Sequence, residues 1–144
     1  MNWEKLKPTH YFEDPVKHIY TLNVFDTKEY DKLYENQNNL NHQTWQDFDS
    51  KYRTGFEFLE NFSDINFNKE IMCLWFFKER SDNTKSFVHI NGKELAYLPN
   101  TFLITESKDI KHVQTKRKYL RHPLVQIDMT NNQWQKLIEK ITKK

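Results

Sequence analysis

The chain of 144 residues contains one cysteine, two glycines and four prolines. A single cysteine excludes an intrachain disulfide and a zinc site built from cysteines. Because glycine is scarce, the turns have to rely on Asn, Asp and Ser. The chain is instead rich in Lys, Asn and Ile, a bias typical of an AT-rich coding sequence.

A strong charge of one sign is also absent, since 22 basic side chains nearly cancel 20 acidic ones and leave a net charge of +2. This balance does not favour general binding to nucleic acid or to a membrane surface. No apolar run approaches the roughly 20 residues of a membrane span, and the first residues do not resemble a signal peptide. We therefore expect a cytoplasmic protein.

Aromatic residues make up 15% of the chain, so a core rich in Phe, Tyr and Trp is expected. The length suits a single domain over residues 1–144. Residues 1–17 are predicted to be an irregular lead-in, 18–70 a strand with helices, 71–129 a β-rich core, and 130–144 a C-terminal helix. Cys73 lies in an apolar run, which favours a small buried hydrophobic residue over a nucleophile.

The first half predicts one strand and two helices. Residues 18–25 alternate as a strand does, and Asp26 ahead of Glu29 is typical of a helix start. A second helix is predicted over 44–61, because Trp45, Phe48, Tyr52, Phe56 and Leu59 recur at steps of three and four. Gly55 weakens that helix.

The second half predicts short strands joined by turns. They are expected at residues 71–77, 87–90, 93–97, 101–105, 110–115 and 124–129. Asn91 and Gly92 predict a tight hairpin turn, since both residues adopt positive φ readily. Thr130 and Gln133 form a capping-box pattern, and the apolar stripe that follows predicts a helix over 131–143.

A segment of the strand region resembles the distal half of the iron(II)/2-oxoglutarate-dependent oxygenases. The residues that carry this resemblance are Asn91 to Leu95, Pro99 to Thr101, Phe102, His112, Val113 and Arg121. The resemblance implies a double-stranded β-helix. It also implies that His112 binds iron and that Arg121 binds the cosubstrate carboxylate.

The metal motif of the family is degenerate in this chain. The family places His-x-Asp or His-x-Glu upstream, whereas Arg80, Ser81 and Asp82 stand at about that place here. Arg offers no lone pair to a metal, so Asp82 is the residue of this group that could serve as a ligand. Fe(II) and 2-oxoglutarate are the cofactors if the resemblance extends to function. A small-molecule carboxylate would then be the partner.

Each of these residues also has a structural interpretation. His112 is alternatively a hydrogen-bonded barrel or surface histidine, and Asp82 a turn residue. Arg121 is alternatively paired with Asp109 or Asp128. The sequence argument gives His112 the same strand face as Ile110 and Gln114. It gives Arg121 the face of Val125 and Ile127, with both faces pointing into one barrel.

The expected fold is α+β, with N-terminal helices, an antiparallel double-stranded β-helix or jelly-roll-like sheet, and a C-terminal helix. A two-layer, ferredoxin-like sandwich is the alternative. The alternative function is a non-enzymatic binding module. It would use the basic segment 108–122, with Lys116, Arg117 and Lys118, for a phosphate-bearing ligand or nucleic acid. That segment is otherwise a solvated loop whose lysines protect a sheet edge.

Overall fold

The fold is given by a computed structural model that describes residues 8–14, 16–22, 25–52, 55–60, 64–78, 87–90, 92–106, 113–115 and 123–142. The described strands are β1 (Tyr11–Phe12), β2 (His18–Leu22), β3 (Phe56–Leu59), β4 (Ile71–Phe76), β5 (Phe87–Ile90), β6 (Lys93–Ala96), β7 (Thr101–Glu106), β8 (Val113–Thr115) and β9 (Leu124–Ile127). The described helices are α1 (Thr27–Glu35), α2 (Gln43–Tyr52) and α3 (Asn131–Thr142).

The strands form two antiparallel sheets. The large sheet has six strands in the order β1-β2-β7-β4-β9-β3, and the small sheet has three in the order β6-β5-β8. The predicted α+β class, the antiparallel sheet and the C-terminal helix are confirmed. The second sheet distinguishes the fold from the two-layer alternative.

Three layers result, because the large sheet is covered on both faces. On β4, Cys73 and Trp75 pack with the core that includes α1, α2 and α3. Leu74 and Phe76 alternate with them and pack with residues of the small sheet. A strand buried on both faces reads as a continuous apolar run rather than an alternating one. That is why residues 71–77 are apolar throughout.

The N-termini of α1 and α3 carry the caps that the sequence predicts. Asp26 precedes α1 and its side chain accepts a hydrogen bond from the backbone N–H of Lys28. At the start of α3, the side-chain oxygen of Gln133 accepts a hydrogen bond from the Thr130 backbone N–H at 2.9 Å. The Thr130 hydroxyl accepts one from the Gln133 backbone N–H at 3.2 Å. This is the predicted capping box. None of the described helices combines the length and apolar character needed to cross a membrane.

The second predicted helix, over 44–61, is wrong in its last part. α2 ends at Tyr52, and Phe56–Leu59 forms β3, which pairs with β9. Gly55 lies between them, and its carbonyl accepts from the Asp128 N–H at 2.8 Å. Aromatic residues spaced by two as well as by four are compatible with both a strand and a helix. The pairing with β9 stabilises the strand. The predicted irregular lead-in also contains a short 3-10 turn, Pro8–His10, and β1.

The β5–β6 hairpin is confirmed, with Ile90 opposite Lys93 and Phe87 opposite Ala96. Gly92 has φ +92°, a conformation that L side chains rarely adopt. A Cβ at this position would meet nothing within 4 Å, so the constraint comes from the backbone alone.

We expect Gly92→Ala to lower the free energy of unfolding by about 1 kcal/mol, because alanine is strained at positive φ. Gly92→Asn is the matched control, since asparagine tolerates this region better, and a smaller loss is expected. Urea titration followed by tryptophan fluorescence measures both. Equal losses for the two variants would contradict the backbone explanation.

Candidate functional site

The predicted site residues fall outside the residues that the structure describes. These are Asp82, His112, Arg121, Lys116, Arg117 and Lys118. Their roles as metal ligands, cosubstrate ligand and basic binding segment stay predictions. Asp64, another upstream carboxylate that is not preceded by the His of the family's motif, is described and is exposed.

The strand faces assigned to two of these residues can be compared with the sheets. Val125 and Ile127, whose face Arg121 was expected to share, pack in the core under the helices rather than between the sheets. Gln114, whose strand face His112 was expected to share, lies opposite His89 in the pairing of β5 with β8. The buried residues of β5, Val88 and Ile90, occupy the alternate positions. The expectation that the face of Val125 and Ile127 points into the inter-sheet space is therefore wrong.

The space between the two sheets is filled with apolar side chains. They come from β4, β5, β6, β7 and β9, and include Met72, Leu74, Phe76, Val88, Ile90, Leu95, Leu103 and Leu124. The tyrosine hydroxyls at its margins are satisfied by backbone carbonyls. Tyr97 donates to Pro123 at 2.5 Å and Tyr20 donates to Ala96 at 2.6 Å.

One polar side chain on this face, Gln126, forms hydrogen bonds to Asn66 in the segment that precedes β4. Its carbonyl oxygen accepts from the Asn66 N–H at 2.9 Å, and its amide donates to the Asn66 carbonyl at 2.9 Å. Gln126 is buried. A side-chain amide paired in this way replaces one rung of a strand ladder, so both polar groups are satisfied without water.

A cluster of three side chains joins the edge of the large sheet to the small one, and we call it the β2–β6 seam: Phe12, His18 and Lys93. The His18 ring is fully buried and stacks on Phe12, with ring centroids 5.1 Å apart. The Lys93 ammonium lies 3.2 Å from His18 Nε2 and 4.0 Å from the centroid of the Phe12 ring. A cation above an aromatic face is attracted by the negative potential of the ring.

Hydrogen bonding indicates the tautomer of His18. Nδ1 lies 2.7 Å from the Val16 carbonyl, which can only accept, so Nδ1 carries the proton. Nε2 then presents its lone pair to the Lys93 ammonium. Burial lowers the pKa of His18 most, Lys93 lowers it further, and the bond to Val16 opposes both. His18 is therefore neutral at pH 7.

A second polar cluster lies where β7 ends and α3 begins. Glu106 is buried and its Oε1 accepts from the Trp134 indole N–H at 3.1 Å. A pocket of about 450 Å³, lined in part by Glu106, Phe67 and Asn131, opens beside it. The indole bond places Glu106 in the packing of α3 against the sheet.

Cys73 is completely buried in the core under the helices. Burial raises the pKa of its thiol, which keeps it protonated. A thiol that is neither ionised nor accessible is not a nucleophile, in keeping with the interpretation of Cys73 as a small hydrophobic residue.

Among the described residues, no group of three or more His, Cys, Asp or Glu side chains is placed so that it could hold a metal ion. The β2–β6 seam and Glu106 were not predicted from the sequence. His18 and Lys93 are separated by 75 positions, and no local pattern links them.

Comparison of the chain with models of protein families, with curated proteins and with solved structures finds no match.

Proposed function

We propose that the chain is an atypical member of the oxygenase-like double-stranded β-helix proteins, one that keeps the fold and uses the inter-sheet space as hydrophobic core. The observation that carries this proposal is the course of the chain between the sheets. β4 lies in the large sheet, β5 and β6 in the small one, and β7 again in the large one, paired with β4. An antiparallel ribbon that folds over on itself in this way supports the jelly-roll connectivity of the proposal.

The last two strands support the same assignment. β8 returns to the small sheet and pairs with β5, and β9 returns to the large sheet and pairs with β4. The second passage of the chain therefore lies beside the first in both sheets. Two windings side by side are what the term double-stranded β-helix describes.

The sequence positions of the resembling residues relative to the strands also support the proposal. Gly92 and Leu95 belong to the β5–β6 hairpin, and Thr101 opens β7. In sequence, His112 comes directly before β8 and Arg121 shortly before β9. The two residues thus precede strands of different sheets, an arrangement that favours a common origin with the oxygenase fold.

The contents of the inter-sheet space support the atypical character. The resemblance to the oxygenases implies that a cosubstrate is held between the two sheets. Here Leu74, Leu103 and Leu124 are fully buried there, on three adjacent strands of the large sheet. A dicarboxylate at that point would have to displace close-packed apolar side chains. The described residues also do not fit a ferrous centre, since they offer no three-ligand set.

Anaerobic thermal denaturation with Fe(II) and 2-oxoglutarate tests the proposal. A ligand at a hundred times its Kd stabilises the folded state by about 2.7 kcal/mol. For a domain of this size that corresponds to a rise in Tm of roughly 5–10 °C. We expect no such rise with Fe(II), Mn(II) or 2-oxoglutarate, alone or together.

Variants of the two resembling residues sharpen the interpretation. A rise in Tm that is lost in both His112→Ala and Arg121→Met would overturn the proposal and indicate a working oxygenase site. Lys136→Met, a change on α3, serves as the matched charge-removing control and should behave as the wild type.

A further inference from the structure

The β2–β6 seam is built so that its bonding requires a neutral imidazole. His18 Nδ1 donates to Val16 and Nε2 accepts from the Lys93 ammonium, so both ring nitrogens are committed. The ring is fully buried, and Phe12 covers one face of it. Water cannot replace either partner without opening the seam.

Lys93 is the charged group that acts on His18 among the described residues. From β7, Thr105 stands opposite His18 and its hydroxyl donates to the Lys17 carbonyl. β1 contributes the uncharged Phe12 ring. The described neighbours that contact the imidazole thus include no carboxylate to stabilise an imidazolium.

We propose that the β2–β6 seam is a pH-operated latch, which holds β1 against β2 and β6 at neutral pH and releases it when His18 is protonated. Protonation would place an N–H of an imidazolium against an ammonium at 3.2 Å, with like charges and no acceptor between them. Lys93 then leaves, and Phe12 loses both the cation above it and its ring partner.

β1 is the element that this opening releases. It pairs with β2 through two positions, Tyr11 opposite Ile19 and Phe12 opposite His18, and it forms the outer edge of the large sheet. Both residues of the second pair belong to the seam. A two-residue strand has little other pairing to hold it, so its opening is local and does not require the core to unfold.

The direction of the pH dependence follows from the lowered pKa of His18. The folded protein binds this proton less readily than the unfolded chain, whose histidine titrates near 6.5. The stabilisation is present above the unfolded value and is lost as the pH falls through the folded value. The latch is therefore closed at pH 7.5 and opens in acid.

Amide hydrogen exchange measured by NMR from pH 7.5 to 4.5 tests this device, together with the titration of the His18 ring protons. After correction for intrinsic rates, the Tyr11 and Ile19 amides should exchange severalfold faster below the His18 midpoint than above it, because the open form of β1 is then favoured. Amides of β4 should show no step at that midpoint. A single step shared by β1 and β4 would overturn the latch.

Two variants and a control separate the latch from general acid sensitivity. His18→Gln should abolish the step in β1. Lys93→Met should move the His18 midpoint to higher pH, because it removes the like charge, and should largely remove the step in β1, because no ammonium is left to be repelled. His42→Gln, at an exposed histidine, should leave the step unchanged. A step that persists in His18→Gln, or one that keeps its full size in Lys93→Met, contradicts the proposal.

Discussion

Replacing Trp75 with alanine is expected to lower the free energy of unfolding by about 3–5 kcal/mol, enough to unfold much of the protein at 37 °C. The Trp75 side chain is fully buried at the centre of the aromatic core. Its ring lies 4.5 Å from Phe25, 4.7 Å from Phe77 and 5.5 Å from Phe48, measured between centroids. Alanine would leave a large cavity where α2, β4 and the entry to α1 meet.

Trp75→Phe is the control for this effect. It keeps an aromatic ring and loses the indole N–H, which donates to Asn100 at 3.1 Å. We expect a clearly smaller loss than for alanine. Guanidinium denaturation monitored by circular dichroism compares the three proteins. A loss below about 1 kcal/mol in Trp75→Ala would contradict the packing described for this residue.

Replacing Asn100 with alanine is expected to lower the free energy of unfolding by about 2–4 kcal/mol, because it removes several buried hydrogen bonds. Its side-chain oxygen accepts from Trp75 Nε1 at 3.1 Å and from the Phe25 N–H at 3.4 Å. Its amide donates to the Phe25 carbonyl at 2.7 Å. Asn100 is buried, so alanine would leave these polar groups without partners and away from water.

Asn100 also has φ +57°, the left-handed region that asparagine tolerates better than most residues. Asn100→Gly removes the same hydrogen bonds without the backbone strain. We expect it to be more stable than Asn100→Ala by about 1 kcal/mol and still well below the wild type. Equal stability of Asn100→Gly and the wild type would show that the side-chain bonds contribute nothing. A double variant with Trp75→Phe should be non-additive, since the two side chains share a bond.

Local patterns were sufficient to predict most of the second half of the fold. The apolar run at β4 and the turn at Gly92 each depend on residues close in sequence. The capping pair Thr130 and Gln133 is local as well, and α3 follows it as predicted. Signals of this kind survive because tertiary packing agrees with them.

The α2–β3 region could not be predicted because the deciding contact is distant. Phe56 pairs with Ile127, and no sequence pattern near Gly55 predicts this pairing. The β2–β6 seam has the same origin, with His18 and Lys93 brought together by the course of two sheets. Chemistry that arises from such pairing is visible only once the strand order is known.

The candidate site was predicted less completely than the fold. The resemblance depends on single residues, such as His112 and Arg121, which lie outside the described residues. The face of Val125 and Ile127 was assigned to the wrong side of the sheet because β9 is buried on both sides, so alternation alone does not say which side is the interior. A strand with two apolar faces gives no signal of direction.

The position of β9 has a consequence for synthesis of the chain. β9 lies between β3 and β4 in the large sheet, yet it is the last strand in sequence. Until residues 124–127 have been made, β3 has no partner among the described strands, and one edge of β4 is unpaired. An apolar strand with an open edge is prone to intermolecular pairing. The nascent chain is therefore open to intermolecular pairing at these strands until β9 becomes available.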